Sequence, residues 1–263
     1  MRIFFILYSS LFALCIAGQL FAVEDRKSVV TVLVCEEEDE DIYLAHQNMP
    51  KLINELGKEH RWETVTLTSK KFADFPGVDI LDRTDVLVIF VRRIGLPTEQ
   101  MQRVKKFVKE SGKGLVVLRT GSHGFAPRSL PEGCEGWQEF DKEVLGGNYT
   151  GHGINAIGSE VWNVKEQEQT PILRDVRPSV WRSAGSVYYT APLAEDAAVY
   201  QYAASSEQGR MPLTWTRMYG NTRVAYTALG HKDDFEVPAF KALIRNLVLW
   251  AAETDSGTLL GVR

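Results

Sequence analysis

Three histidines follow glycine-rich or strand-ending segments, where enzymes often expose catalytic groups. His123 lies in the segment RTGSHG at 119–124, His152 ends the segment GGNYTGH at 146–152, and His231 follows the tripeptide ALG. An imidazole can move protons to and from sugar hydroxyls and carbonyls, or bind a divalent metal as a neutral base. We therefore predict acid–base chemistry by these three side chains. Their separation in the sequence leaves open whether they meet, whether they bind a divalent metal, or whether each is a loop or cap residue with an ordinary hydrogen bond.

Ser122 is a candidate nucleophile, because His123 stands beside it in the same turn. The hydrolase pattern G-x-S-x-G fails at Thr120, however, and adjacent residues usually point in different directions. We favour a serine that caps a helix. No cysteine occupies this turn, and Cys35 and Cys134 elsewhere in the chain could pair or stay free.

Five residues are candidates for holding a substrate. Arg119 cannot act as a base, but its fork of donors could hold a carboxylate, a keto oxygen or a sugar diol. Tyr43 follows the first predicted strand and could border the same crevice. Trp181, in a loop-rich stretch, could stack on a sugar ring. Ser122 is the fourth candidate, and Asn148 is the fifth, although we interpret this formal glycosylation acceptor as a structural residue of the glycine-rich segment.

Acidic side chains flank two of these positions. Glu40 and Asp41 end an acidic run at 36–41 and precede the tyrosine, while Asp233 and Asp234 follow the last of the three histidines. They could orient the neighbouring groups or simply favour the start of a helix. The acidic run itself is typical of a solvated loop.

Alternating strand and helix patterns fill the first half of the chain. Continuous apolar or alternating runs predict strands at 29–34, 62–67, 85–91 and 114–118. Helical spacing predicts one helix over 44–56 that ends at Gly57, and a second that begins at Pro97 and closes at Gly112. Strands that alternate with helices in this way indicate a parallel sheet with right-handed crossovers.

The second half of the chain has a different pattern. Short strand-like pieces at 161–164, 180–182, 197–203 and 213–217 have few helical repeats between them, and we expect them to extend the sheet in antiparallel fashion. A further strand at 223–226 leads to a final amphipathic helix at 239–252. The fold class is therefore α/β, a three-layer α/β/α sandwich with a mostly parallel central sheet.

The amino terminus has the composition of a secretory leader. Residues 1–22 contain one arginine, an apolar run and a small-residue cleavage site, so we predict a signal peptide and an exported protein with no stable membrane span after processing. One domain over 23–254 and a flexible tail at 255–263 complete the chain. The net charge of −4 and the absence of basic clusters argue against nucleic acid as a partner, whereas a homo-oligomer stays open.

The carboxyl-terminal sequence PLTWTRMYGNTRVAYTALGHKDDFEVPAFKALIRNLVLWAA closely resembles the signature of the trehalose-utilisation (ThuA-like) family, a branch of the class I glutamine amidotransferase-like fold. The segments GGNYTGH and GLVVLRTGSHGF support the resemblance. The chain departs from the common family pattern at the end of the central strand, where Arg119 replaces the usual histidine and His123 follows four residues later. This variant is similar to a secreted subgroup of the family.

The resemblance implies a fold and a kind of substrate. It implies a flavodoxin-like sheet without the thiol nucleophile of amidotransferases, and an activity on a small carbohydrate such as an oxidised (keto) sugar or a glycoside. The competing interpretation is a non-catalytic module that uses the same crevice to bind a ligand or partner. Serine hydrolysis through Ser122 is a third interpretation, which labelling with a fluorophosphonate would test.

Overall fold

The computed structural model describes residues 26–36, 43–70 and 72–253. Within these residues the α-helices are α1 (Ala45–His60), α2 (Thr98–Glu110) and α3 (Pro238–Ala252). The strands are β1 (Val29–Glu36), β2 (Glu63–Lys70), β3 (Val86–Phe90), β4 (Leu96–Pro97), β5 (Gly114–Leu118), β6 (Cys134–Glu135), β7 (Gly151–His152), β8 (Ser159–Asn163), β9 (Val180–Ser183), β10 (Tyr188–Tyr189), β11 (Ala198–Ala204), β12 (Met211–Tyr219) and β13 (Thr222–Thr227).

Nine strands form one mixed sheet in the order β2-β1-β3-β5-β13-β12-β11-β8-β9. The first five are parallel to their neighbours, and each pairing from β13 outward to β9 is antiparallel. The two short ladders, β4 with β6 and β7 with β10, stand apart from this sheet. The structure thus confirms the predicted α/β fold, with a parallel half that continues into an antiparallel extension.

Helices cover both faces of the parallel half. The connection through α1 runs from β1 to β2, whereas the connection through α2 runs the other way along the sheet, from β3 to β5. Because such crossovers are right-handed, the two helices lie on opposite faces. The last helix, α3, shares the face of α1, since both contact the short helix Lys232–Glu236. Strands β3 and β5 are buried along their whole length, which explains their unbroken apolar sequences.

The first helix is longer than predicted. It continues past Gly57 and ends at His60, with Arg61 in the left-handed conformation at φ 59° as its cap. Gly57 is needed for another reason. A Cβ atom there would lie 2.5 Å from Cγ2 of Thr64, so the glycine allows β2 to pack closely against the helix.

Several predictions fall on residues outside the described ranges. These are the leader at 1–22, most of the acidic run with Glu40 and Asp41, and the tail at 255–263. No disulfide bond joins Cys35 in β1 to Cys134 in β6. Among the described residues, no helix is both long and apolar enough to span a bilayer.

Candidate functional site

The turn after β5 begins with a strained residue. Arg119 has a φ of 42°, in the left-handed region, which costs a residue other than glycine about 1 kcal/mol or more. Its carbonyl oxygen accepts hydrogen bonds from the hydroxyls of Tyr226 at 2.9 Å and Ser122 at 3.2 Å. These bonds hold the short helix Arg119–His123 at the carboxyl edge of the parallel strands, where open α/β sheets bind their ligands.

The side chain of Arg119 donates to protein groups through both Nη atoms, whereas its buried Nε has no hydrogen-bond partner among the described residues. It is only 1% exposed, and Nη1 donates to the carbonyl oxygen of Ala228 at 2.6 Å while Nη2 donates to Oγ of Ser186 at 3.2 Å. Its guanidinium carbon lies 4.4 Å from the ring centroid of Tyr188 and 5.3 Å from that of Tyr43. The guanidinium therefore packs against the rings of the two tyrosines. It does not line the pocket that these tyrosines border.

A pocket of about 270 Å³ opens beside this turn. One wall is the ladder of β7 and β10, in which Tyr188 pairs with His152. The lining residues are Tyr43, Arg92, Arg93, His123, Arg128, Tyr149, Thr150, Gly151, His152 and Tyr188. The structure thus brings two of the three candidate histidines together with one candidate tyrosine, and we call this space the arginine pocket.

His123 is a neutral ring in this pocket. It stacks on Tyr149 with ring centroids 4.2 Å apart and planes inclined by 17°, and the residue is 8% exposed. Burial, followed by the positive charges of Arg93 and Arg92, lowers the pKa of His123 to about 3. The ring is therefore uncharged near neutral pH. It can form a hydrogen bond to a ligand, but it does not readily take up a proton.

Ser122 holds His123 and does not cap a helix. Leu118 is the N-terminal cap of the short helix, and Ser122 lies inside it, where its hydroxyl bonds back to the carbonyl of Arg119. Oγ also lies 3.1 Å from Nδ1 of His123. Because the hydroxyl has one proton and gives it to the carbonyl, Nδ1–H is the donor to Oγ. This assignment leaves Nε2 of His123 as a hydrogen-bond acceptor.

In the arginine pocket, His152 has a ring nitrogen, Nε2, that is available to a ligand. The residue is exposed, and its ring centroid lies 5.9 Å from that of Tyr188. Nδ1 is 2.8 Å from the carbonyl oxygen of Gly153, which can only accept, so Nδ1 carries a proton. Nε2 of the neutral ring is consequently a lone pair that can accept a proton from a bound molecule.

His231 lines a different pocket, of about 510 Å³, which we call the cap pocket. Its Nδ1 accepts the backbone N–H of Asp233 at 3.3 Å and so caps the helix Lys232–Glu236. Asp234 is buried and accepts the backbone N–H groups of Gly230 and His231, each at 3.0 Å, and the Ser183 hydroxyl at 2.7 Å. Burial lowers the pKa of His231. His231 is therefore a helix-cap residue, which is the alternative that the sequence left open for this histidine.

The two remaining candidates line neither pocket. Nδ2 of Asn148 donates to the carbonyl oxygen of Ala191 at 3.2 Å, which agrees with its interpretation as a structural residue. Trp181 is buried in the edge strand β9, where it pairs with Val161. The strand predicted at 180–182 is thus confirmed, and the burial of Trp181 in it argues against the role of stacking on a sugar ring.

The donor groups do not form a metal site. Among the described residues, no cluster of three or more histidine, cysteine or acidic side chains could hold a metal ion. Moreover, Arg92 and Arg93 place positive charge beside His123, which disfavours a second cation there. The histidines therefore do not fit the divalent metal that the sequence left open.

Seven of the residues that line the arginine pocket were not among the candidates from the sequence. Arg92 and Arg93 come shortly after β3, and the rule that strand ends border the ligand crevice could have identified them. Tyr149, Thr150 and Gly151 lie in the glycine-rich segment 146–152, in which the sequence pointed to His152 alone. Arg128 lies in a loop and Tyr188 in the short strand β10, where the sequence contains no such signal. Tyr188 in particular reaches the pocket only because β10 pairs with β7.

Solved structures share this fold. A ThuA-like protein from Bacteroides uniformis ATCC 8492 is 14% identical with a TM-score of 0.67, and the alignment covers 96% of this chain and 99% of that one. A ThuA-like protein from Parabacteroides merdae ATCC 43184 is 17% identical with a TM-score of 0.57, over 86% of this chain and 90% of that one.

A larger enzyme contains a similar fold as one part. A β-galactosidase from Bacillus circulans sp. alkalophilus is 16% identical with a TM-score of 0.53, over 82% of this chain and 30% of its own. At such identities the likeness is one of fold alone. No curated protein matches the sequence.

A family model described as trehalose utilisation (ThuA) matches residues 31–251. The matched range contains the parallel strands, the antiparallel extension and both histidine pockets. It includes the three segments on which the resemblance was based. The chain therefore belongs to the trehalose-utilisation (ThuA) family.

Proposed function

We propose that this protein is an exported enzyme of carbohydrate utilisation that binds a sugar, glycoside or keto-sugar in the arginine pocket and changes it by histidine acid–base chemistry. The observation that supports this most strongly is the pairing of two imidazoles, His123 and His152, around one pocket at the carboxyl edge of the parallel strands. Membership of the trehalose-utilisation family supports a carbohydrate as the substrate.

The hydrogen bonds of the two rings suggest separate tasks. His152, with Nδ1 bound to a carbonyl and Nε2 unoccupied by protein groups in the described residues, is the proton-transferring group. His123 stays neutral, and its Nε2 accepts a hydrogen bond that orients a substrate hydroxyl. We do not extend the acid–base role to His231, because its ring caps a helix in the cap pocket.

A keto-sugar would make good use of this arrangement. Nε2 of His152 would take a proton from the carbon next to the keto group, and the electron pair of that C–H bond would move onto the keto oxygen as an enolate. Positive charges preorganised around the pocket stabilise such an oxyanion. Arg92, Arg93 and Arg128 supply these charges.

Export is part of the proposal and rests on the composition of residues 1–22. Expression in a bacterial host, followed by cell fractionation and amino-terminal sequencing of the product, tests it. A mature chain that begins near Val23 outside the cytoplasm supports export, whereas an intact amino terminus in the cytoplasm contradicts it.

A binding module is the second candidate, and one observation favours it. The position at the strained turn, where amidotransferase-like enzymes expose a nucleophile, is held by Arg119, which is buried and bonded to protein groups. A crevice without a nucleophile could retain ligand recognition alone.

One experiment separates the two candidates. Purified protein is incubated with a panel of disaccharides and their keto derivatives, with and without divalent metals, and products are identified by mass spectrometry. His152→Ala is the test variant, and His231→Ala is its matched control. Product from the wild type and the control but not from His152→Ala supports the enzyme; binding without product from any member of the panel supports the module.

A further inference from the structure

Three arginines stand together in the arginine pocket. Arg92 and Arg93 follow β3 after one intervening residue, and Arg128 comes from the loop beyond the strained turn. Arg93 and Arg128 form no ion pair with a carboxylate in the part of the chain that the structure describes. Two such cations in the wall of a small pocket favour a negatively charged ligand, because low-dielectric walls strengthen the field inside it.

Arg93 is held in an unfavourable backbone conformation. Its φ is 49°, a left-handed value that costs a residue other than glycine about 1 kcal/mol or more. Of its five N–H donors, one on Nη1 is given to the carbonyl oxygen of Ala126 at 3.2 Å, and this bond directs the guanidinium. Strain of this kind persists where the surrounding structure imposes it, and it is concentrated at ligand sites.

The electrostatic field of these arginines reaches the neighbouring imidazole. After burial, the charges of Arg93 and Arg92 are the next largest causes that hold the pKa of His123 well below its ordinary value. The charges of these two arginines therefore contribute positive potential at the ring of His123.

We infer that the ligand of the arginine pocket is an anionic carbohydrate, whose carboxylate or phosphate is bound by Arg93 and Arg128 while its sugar ring lies against the tyrosines. This inference rests on the proposed function and specifies its substrate class. Guanidinium forks bind carboxylate and phosphate oxygens through paired, charge-assisted hydrogen bonds. The volume of about 270 Å³ is close to the lower end of ordinary ligand pockets, which suits one monosaccharide unit.

Calorimetric titration of the purified protein tests the inference with four probes: D-glucuronate, D-glucose 6-phosphate, inorganic phosphate and D-glucose. We expect at least one charged sugar to bind about tenfold or more tightly than glucose, because charge-assisted hydrogen bonds contribute more than neutral ones. The advantage should shrink as sodium chloride is added, since salt screens the attraction. Glucuronate and glucose 6-phosphate distinguish a carboxylate from a phosphate.

Two variants test whether Arg93 and Arg128 bind the charged group of the sugar. Arg93→Gln and Arg128→Gln should each weaken binding of the charged sugar by about tenfold while leaving glucose binding unchanged. Arg128 is exposed, so its variant is expected to fold even if Arg93→Gln does not. Arg174→Gln, which removes an exposed arginine outside the pocket, is the matched control and should bind like the wild type.

Each result has a definite meaning. Glucose that binds as tightly as the charged sugars overturns the inference, as does a loss of affinity that is equal for charged and neutral sugars in the variants. Turnover of neutral keto-sugars without any preference for charge would overturn the inference and leave the proposed function standing. Preferential binding of a charged sugar without turnover of any would support the inference and contradict the proposed catalysis.

Discussion

The arginine pocket and the cap pocket contain the same kind of side chain in opposite hydrogen-bonding states. In the arginine pocket, Nδ1 of His152 donates to a carbonyl oxygen and leaves Nε2 as a lone pair. In the cap pocket, Nδ1 of His231 accepts a backbone N–H, so Nε2 of the neutral ring carries the proton. One backbone contact therefore decides whether an imidazole at a loop can serve as a base.

The two pockets also differ in what surrounds the ring. The arginine pocket has three cationic side chains and no carboxylate among its described lining residues. Next to the cap pocket, Asp234 is buried and is bonded to two backbone N–H groups and a hydroxyl. The first environment is suited to a negatively charged molecule, whereas the second fixes a turn.

The largest effect is expected from His152→Ala. We predict that turnover of the active substrate falls by about 10²–10⁴-fold, because the variant loses its proton-transferring group. The thermal unfolding midpoint should not change, since the residue is exposed. His231→Ala should instead keep most of its turnover and lose about 1 kcal/mol of unfolding free energy with its helix cap. Full activity in His152→Ala would remove the catalytic role.

Asp234→Ala should have the largest effect on stability. It leaves two backbone N–H groups and the Ser183 hydroxyl without an acceptor, at about 1–3 kcal/mol each, so we expect a loss of roughly 3 kcal/mol or more. Urea unfolding measures the loss. The exposed Asp233→Ala is the control and should lie within about 0.5 kcal/mol of the wild type. Equal stability of the two variants would contradict the structural role of the turn.

Opposite pH dependences should appear when two titratable groups, His123 and Asp141, are removed singly. His123 has a folded pKa of about 3, below 6.5, so the stability from its neutral ring is full above pH 6.5 and is lost as the pH falls towards 3. Burial raises the pKa of Asp141 from 3.8 to about 6, so ionising it costs stability as the pH rises through that range.

The two contributions offset each other in the wild type between pH 3.8 and 6. Over this range His123→Gln should lose stability as the pH rises, whereas Asp141→Asn should gain it. Urea unfolding at several pH values gives both slopes. Parallel slopes in the two variants would contradict the buried, neutral state of His123.

The smallest effect is expected from Gly185→Ala. A Cβ atom there would lie 2.9 Å from Nη1 of Arg119 and 3.0 Å from its central carbon, so the guanidinium must move away from the tyrosines that it supports. We expect a loss of about 1–2 kcal/mol in unfolding free energy, together with weaker ligand binding in the arginine pocket. Gly209→Ala meets no atom within 4 Å and is the control. A Gly185→Ala variant with the unfolding free energy of the wild type would show that the guanidinium can move without cost.

The elements that depend on local periodicity could be predicted from the sequence. Strand β5 has the predicted bounds, and the change from parallel to antiparallel pairing follows the change from strand–helix alternation to short strands. The helix α1 was predicted too short because Gly57 is a typical helix end, whereas here it serves a close approach to β2.

The site depends on contacts between distant segments, and these were harder to predict. His152 and His123 meet because β7 pairs with β10 and because Tyr149 stacks on His123. Neither contact has a periodic signal in the sequence. The sequence did predict a strand at 180–182, but it did not indicate that pairing with β8 would bury Trp181.

The most direct test of the central claim is ¹⁵N NMR of the imidazoles during titration with the sugar that binds most tightly. The chain has five histidines, so the rings of both pockets are observed in one experiment. We expect the Nε2 signals of His152 and His123 to shift on binding while that of His231 stays in place. A shift of His231 alone, with the other two unchanged, would contradict this expectation.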